Sequence, residues 1–163
     1  VFIITIALVD WIKVSNAKKL SVGDINAGFE DKNNLIKNIQ GAPVNVDVGI
    51  KNFSKKDFKV DQVKLDIYTP SDKLVAEQLN IKEDTTVLQK SKQGFISNTY
   101  KIKLFGLKDL LVENGLIPDS FALTDILSVI KDFDPRQIKF RLKGFIVVDG
   151  LTININEIVP FSS

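Results

Sequence analysis

The chain has 163 residues, 44% of them hydrophobic and 26% charged, and its 22 basic and 20 acidic residues leave a net charge of +2. That is one domain of ordinary globular composition, long enough to fold on its own core without a metal or a disulfide. It contains no His and no Cys, which excludes a Ser-His-Asp triad, a thiolate nucleophile, disulfides, and any zinc, haem or iron–sulfur centre held by those ligands.

Residues 1–14 open in an apolar run, with Val1, Phe2, Ile3, Ile4, Ile6, Leu8 and Val9, followed by Trp11, Ile12 and Lys13. Trp and Lys closing an apolar stretch match the chemistry of a membrane interface. The chain has no Met, so Val1 is not expected to be the native start. The run is read as a candidate anchor or docking segment whose first part lies upstream, since a spanning helix needs about 20 apolar residues. The alternative is an N-terminal strand, because Val, Ile, Phe and Thr all favour strands. One domain, residues 15–163, is expected to follow.

Within it, residues 20–29 form the first strand pattern, and polar residues 30–38 read as a loop or an edge. Residues 43–53 then alternate cleanly: Val44, Val46, Val48 and Ile50 share one face, while Asn45, Asp47, Gly49 and Lys51 share the other. Period two over eight residues is a half-buried strand. After a polar turn, residues 58–68 repeat the pattern, with Val63, Leu65 and Ile67 inward. Residues 69–72 are a Pro-containing turn, and residues 73–81 should return as the second strand of a hairpin. Residues 82–94 are polar. Residues 95–104 alternate again, with Tyr100, Ile102 and Leu104 on one side.

The period then changes. Residues 107–113 suit a short helix stopped at Asn114 and Gly115. Residues 121–131 suit a second, capped by Asp119 or Ser120, with Leu123, Ile126, Leu127 and Ile130 on its apolar face. Two alternating strands close the chain, residues 137–148 with Ile138, Phe140 and Leu142 inward, and residues 151–158. Asp149 and Gly150 between them are a strong hairpin signal. Short strands at about ten-residue spacing, interrupted once by helix at about residues 107–131, predict an all-β sandwich.

The alternating strand of residues 44–54, the next strand at residues 60–68, the short turn into residues 73–77 and the closing segment 140–155 together resemble the late-embryogenesis-abundant type 2 family in its bacterial form. The resemblance extends over about residues 20–161. The family often carries Asn-Pro-Asn at the first turn, and Asn52, Phe53 and Ser54 keep only the first Asn. The resemblance implies an immunoglobulin- or fibronectin-like sandwich, often tethered to a membrane or envelope, with no catalytic residues to carry over.

Few side chains offer chemistry. Asp132 and Asp134 could present carboxylates to calcium, but Lys131 and Arg136 compete, and a hard cation wants six or more oxygens. No metal or other cofactor is expected. No phosphate-binding glycine loop is present among the nine Gly. Lys101 and Lys103 share one strand face, and Lys139, Arg141 and Lys143 another. Were those strands paired, they would form one basic stripe able to meet anionic lipid, sugar or protein. The plainer account is a solvated face whose lysines discourage edge pairing. Nucleic acid is not expected, since only Arg136 and Arg141 of the 22 basic residues are arginine and aromatics do not interleave with them.

The expectation is therefore a non-enzymatic binding or structural domain, associated with a membrane or envelope and meeting membrane or another protein subunit through its N-terminal segment. The alternatives are a carrier of a hydrophobic ligand such as lipid, and a structural subunit of a larger assembly such as a virion or secretion machine.

Overall fold

The computed structural model describes residues 19–31, 41–78, 82–83 and 86–162. Two antiparallel sheets face each other. The first carries β1 (Leu20–Phe29), β2 (Ala42–Asn52) and β7 (Gln93–Ile102) in the order β1-β2-β7. The second carries β3 (Phe58–Tyr68), β4 (Leu74–Ala76), β8 (Lys139–Val148) and β9 (Leu151–Pro160) in the order β4-β3-β8-β9. The short strands β5 (Lys82–Glu83) and β6 (Val87–Leu88) also pair with β3. This is an all-β, immunoglobulin/fibronectin-like sandwich. Its helical insertion, α1 (Leu104–Glu113) and α2 (Leu123–Val129), lies between β7 and β8.

The alternation read from the sequence is what fills the core. Val44, Val46, Val48, Ile50, Val63, Leu65, Ile67, Ile138, Phe140 and Leu142 are all fully buried. Two strands change phase, and each change is a bulge. On β1, Val22 stands opposite Ile50 and Ile25 opposite Val48, so one extra residue at Gly23–Asp24 lets both Val22 and Ile25 face inward. On β3, Val60 stands opposite Val148 and Gln62 opposite Val147; the extra residue is Asp61, and inward positions shift from Phe58 and Val60 to Val63, Leu65 and Ile67. Asp149 and Gly150 both have positive φ, 47° and 79°, the two-residue turn that matches the twist of β8 and β9. Gly144 has φ 156° and lies against β3, where a Cβ would stand 2.0 Å from the Lys64 carbonyl oxygen.

Several expectations are corrected. Of the strand expected over residues 73–81, the described part forms Leu74–Ala76 and stops before Gln78, for a reason given below; residues 79–81 lie outside the described residues. The first helix begins at Leu104, not Leu107. The second begins at Leu123, and neither Asp119 nor Ser120 caps it: the Ala122 N–H donates to the Asp125 carboxylate at 2.8 Å. Ile126 and Ile130 are buried as expected, but Leu127 is half exposed because only one narrow side of this seven-residue helix meets the body. Three contacts hold the insertion in place. Gly106 lies against Val75, the Glu113 carboxylate accepts the Ser71 N–H at 2.9 Å, and the Asn114 amide exchanges two 2.9 Å bonds with the Lys139 backbone.

The sandwich has two sides. On one, β1 and β9 are joined by the C-terminal residues: Ser162 N–H donates to Ala27 O at 2.6 Å, and the Phe161 ring lies 4.8 Å from Phe29 and 4.6 Å from Phe140. On the other, β4 and β7 end their sheets side by side.

Candidate functional site

Between β4 and β7 a groove of about 690 Å³ opens, with residues 74–78 as one lip and Thr99, Tyr100, Lys101 and Lys103 as the other. That volume is within the usual range of ligand sites, about 300–1,000 Å³. Leu74, Val75 and Ala76 supply apolar wall, and Leu74 is half exposed there.

The groove exists because β4 is short. Past Ala76 the β4 pairing ends, and before β5 resumes backbone pairing with β3 at Lys82–Glu83 the Gln78 side chain takes over the β3 edge. Its Nε2 donates to Val63 O at 2.7 Å, and its Oε1 accepts the Leu65 N–H at 3.0 Å. The Gln78 N–H donates to Asp66 Oδ1 at 2.8 Å, Lys64 Nζ donates to Gln78 O, and Lys64 also pairs with Asp66 at 2.8 Å. One amide thus stands in for backbone pairing beside Val63 and Leu65, between β4 and β5.

Tyr100 crosses the floor. Its hydroxyl donates to Leu65 O at 2.6 Å, tying β7 to β3 through the core. Burial pushes the phenol well above its ordinary value of 10, and the nearby Asp66 charge adds to the effect. A phenol so placed is a neutral tether and not an acid or a base near neutral pH. The mouth of the groove is basic. Lys101 and Lys103 are exposed, and Lys103 leads into α1, whose first turn has no side-chain cap and no acidic residue.

The other basic residues lie elsewhere. β7 pairs with β2, whereas β8 pairs with β3 and β9, so Lys101 and Lys103 are in a different sheet from Lys139, Arg141 and Lys143. The single stripe that pairing would have made does not form. On the larger sheet the charges are answered locally. Arg141 donates to Pro70 O at 2.9 Å and to Asn156 at 2.7 Å; Lys143 meets Asp72 at 2.8 Å and lies 4.4 Å over the Tyr68 ring. The hydrogen bond from Lys143 holds the Asp72 carboxyl below the usual range, with the charges of Lys143 and Arg141 adding to it. Asp134 is likewise occupied. Arg136 grips it through Nε and Nη2, at 2.8 Å for the shorter contact, and lowers its pKa. Among the described residues no group of three or more acidic side chains gathers as a metal site.

Two polar groups that matter were not singled out from the sequence. Gln78 is one. The other is Asn52, nearly fully buried, whose Nδ2 donates to Leu88 O at 2.9 Å and Lys56 O at 2.8 Å while its Oδ1 accepts from Ser54 Oγ at 2.6 Å. Asn52 and Ser54 do stand at the turn that carried the family resemblance; Gln78 has no such flag. Residues 1–14, which hold the candidate anchor, lie outside the described residues. Among the described residues no helix is long and apolar enough to cross a membrane.

No family model matches the chain, and no curated protein matches it. Similar solved structures include a protein from Archaeoglobus fulgidus, 8% identical over 86% of this chain and 94% of that one, with a TM-score of 0.48. A Northeast Structural Genomics Consortium target is 11% identical over 88% of this chain and 84% of that one, with a TM-score of 0.47. Red sea bream transglutaminase is 12% identical over 89% of this chain but only 16% of its own, with a TM-score of 0.42. Likeness at this level says nothing about activity.

Proposed function

We propose that the chain is a non-enzymatic binding domain similar in kind to the late-embryogenesis-abundant type 2 proteins, held at a membrane or envelope by residues 1–14. The observation that carries the binding role is the groove between β4 and β7, an apolar trough with a basic mouth on the side of the sandwich that the C-terminal residues leave unjoined. The tether is supported by the apolar run ending in Trp11 and Lys13.

Vesicle flotation tests the reading. The full chain should rise with vesicles of phosphatidylcholine and phosphatidylglycerol, and a chain starting at Ser15 should stay in solution with its melting temperature little changed. Equal flotation of both, or unfolding of the shorter chain, would refute the tether. A second reading, a carrier of a hydrophobic ligand, is favoured by the Leu74, Val75 and Ala76 wall. Mass spectrometry of an organic extract of natively purified protein would then find lipid at about one per chain, as a one-site groove requires.

A further inference from the structure

The two ends of the sandwich differ in charge. The end away from the helical insertion is built from the turn after β2, the start of β3, residues 86–92 and the turn at Asp149 and Gly150. Three bonds gather these segments: Asn52 N–H donates to Lys92 O at 2.9 Å, Phe53 N–H to Lys19 O at 3.0 Å and Asp149 N–H to Lys59 O at 3.0 Å. Lys19, Lys51, Lys55, Lys56, Lys90 and Lys92 are all exposed here, and among the described residues none of the six pairs with an acid. Asp57, Asp61 and Asp149 are at the same end, and the first two already accept backbone N–H groups, of Lys90 at 2.8 Å and of Gly150 at 3.1 Å. The insertion at the other end, residues 104–138, holds six acidic and three basic residues. Beside the lysines stands Phe53, 66% exposed. Asn52 and Ser54 on either side of it are buried, and Asn52 fixes the turn through Leu88 O, Lys56 O and Ser54 Oγ, so the residue between them is turned out to solvent. A hollow of about 240 Å³ lies against Phe53, lined also by Lys51, Ser91 and Lys92.

We propose that this end of the sandwich docks on an anionic bilayer surface, with Phe53 entering the headgroup layer and Lys51 and Lys92 meeting lipid phosphate. The inference rests on the tether proposed above; it names the lipid class and the face of the domain that meets it. Three observations favour a bilayer over a soluble polyanion. The first is where the chain enters: Lys19, the first described residue, is bonded to Phe53 itself. Ile12 precedes Lys19 by seven residues, so this end lies at most about 25 Å from the close of the apolar run. The second is the pairing of chemistries. A polyanion would meet the lysines and leave the Phe53 ring in water, whereas a headgroup layer takes both the ring and the ammonium groups. The third is the charge of the insertion. Its acidic excess at the far end turns the basic end toward an anionic surface and the insertion away from it.

The test uses the full chain. It has no Cys, so Lys55→Cys gives a single site at the basic end for an environment-sensitive nitrobenzoxadiazole dye, and Thr124→Cys gives one on the exposed side of α2 at the other end. On vesicles of phosphatidylcholine and phosphatidylglycerol the dye at position 55 should shift to the blue and brighten, and the dye at position 124 should not. On phosphatidylcholine alone the response at position 55 should be much weaker. Phe53→Ser, or Lys51→Glu together with Lys92→Glu, changes only exposed side chains, so melting temperature and flotation should hold. Each change should cut the docked-to-undocked ratio read at position 55 by about tenfold or more. Flotation with an unshifted dye at position 55 would overturn the docking end and leave the tether standing; absence of flotation would overturn both. Equal shifts at positions 55 and 124 would overturn the orientation, and an equal response on phosphatidylcholine alone would overturn the anionic preference. An undiminished response in both variants would overturn the roles of Phe53, Lys51 and Lys92. A blue shift that grows with protein concentration in the absence of vesicles would assign this end to a second copy of the chain.

Discussion

Tyr100→Phe isolates one atom that joins the two sheets. The hydroxyl donates to Leu65 O at 2.6 Å in a buried setting, and Phe keeps the ring while leaving that carbonyl without this partner. Removing one member of a buried hydrogen bond costs about 1–3 kcal/mol. In a domain of this size each kcal/mol is worth about 2–4 °C, so the variant should melt roughly 2–12 °C lower. A second signature is the response to alkali. The folded-state pKa of Tyr100 is raised above its ordinary value of 10, mainly by burial. A raised value means that the folded state holds the proton more tightly than the unfolded one. Its stabilisation is complete below about pH 10 and lost as the pH rises above it. The parent should therefore lose stability from about pH 10 upward, and Tyr100→Phe should lose less over the same range. The assay is thermal unfolding by circular dichroism at neutral and alkaline pH. A variant that melts within about 1 °C of the parent and keeps the same alkaline fall would refute the tether between β7 and β3.

Val48→Asp puts a charge with no partner at a fully buried position between the sheets and should cost several kcal/mol or prevent folding, read by urea titration. Gly144→Ala should destabilise by more than Gly150→Ala although both glycines have positive φ, because a Cβ at Gly144 meets the Lys64 carbonyl and at Gly150 meets nothing within 4 Å; equal melting temperatures would contradict that packing. Asp72, Asp134 and Glu113 all have lowered pKa values, so the stability they give is present above the ordinary carboxylate range of 3.8 to 4.5 and lost as the pH falls through their lower folded values. With no His in the chain, the melting temperature should stay flat between about pH 6 and pH 8. Calcium and chelators should not move it either, since Arg136 already holds the Asp134 carboxylate; a calcium-dependent rise would point back to Asp132 and Asp134.

What was legible in the sequence follows from where the physics is local. Strand facing on β2 and β3 depends on alternation alone, and Val44 to Ile50 and Val63 to Ile67 point where alternation requires. The turn at Asp149 and Gly150 needs two positive φ values, and those residue types announce it. Strand partnership is not local. Nothing in Lys101 or Lys139 says that β7 and β8 belong to opposite sheets, which is why the two basic runs do not meet. Capping was misread for a related reason. Asp119 and Ser120 are good caps by type, but the helix is positioned by burying Ile126 and Ile130, and Asp125 then serves its start.

The groove itself was the least legible feature, and Gln78 shows why. A hairpin predicted from alternation has its second strand as long as its first. Here the β4 pairing ends at Ala76, and before β5 pairs in turn one side chain supplies both a donor and an acceptor to β3, at 2.7 and 3.0 Å. Glutamine can do this because its amide carries the same two functions as a peptide unit. The substitution satisfies the β3 edge there without extending a regular strand, so the β4 lip facing β7 stays short. Gln78→Leu tests the step directly. Val63 O and Leu65 N–H would lose their partner, at a cost of about 1–3 kcal/mol for each buried group left unsatisfied. A variant as stable as the parent would mean that the Gln78 amide does not hold the β3 edge, and the account of why the groove opens would fall with it.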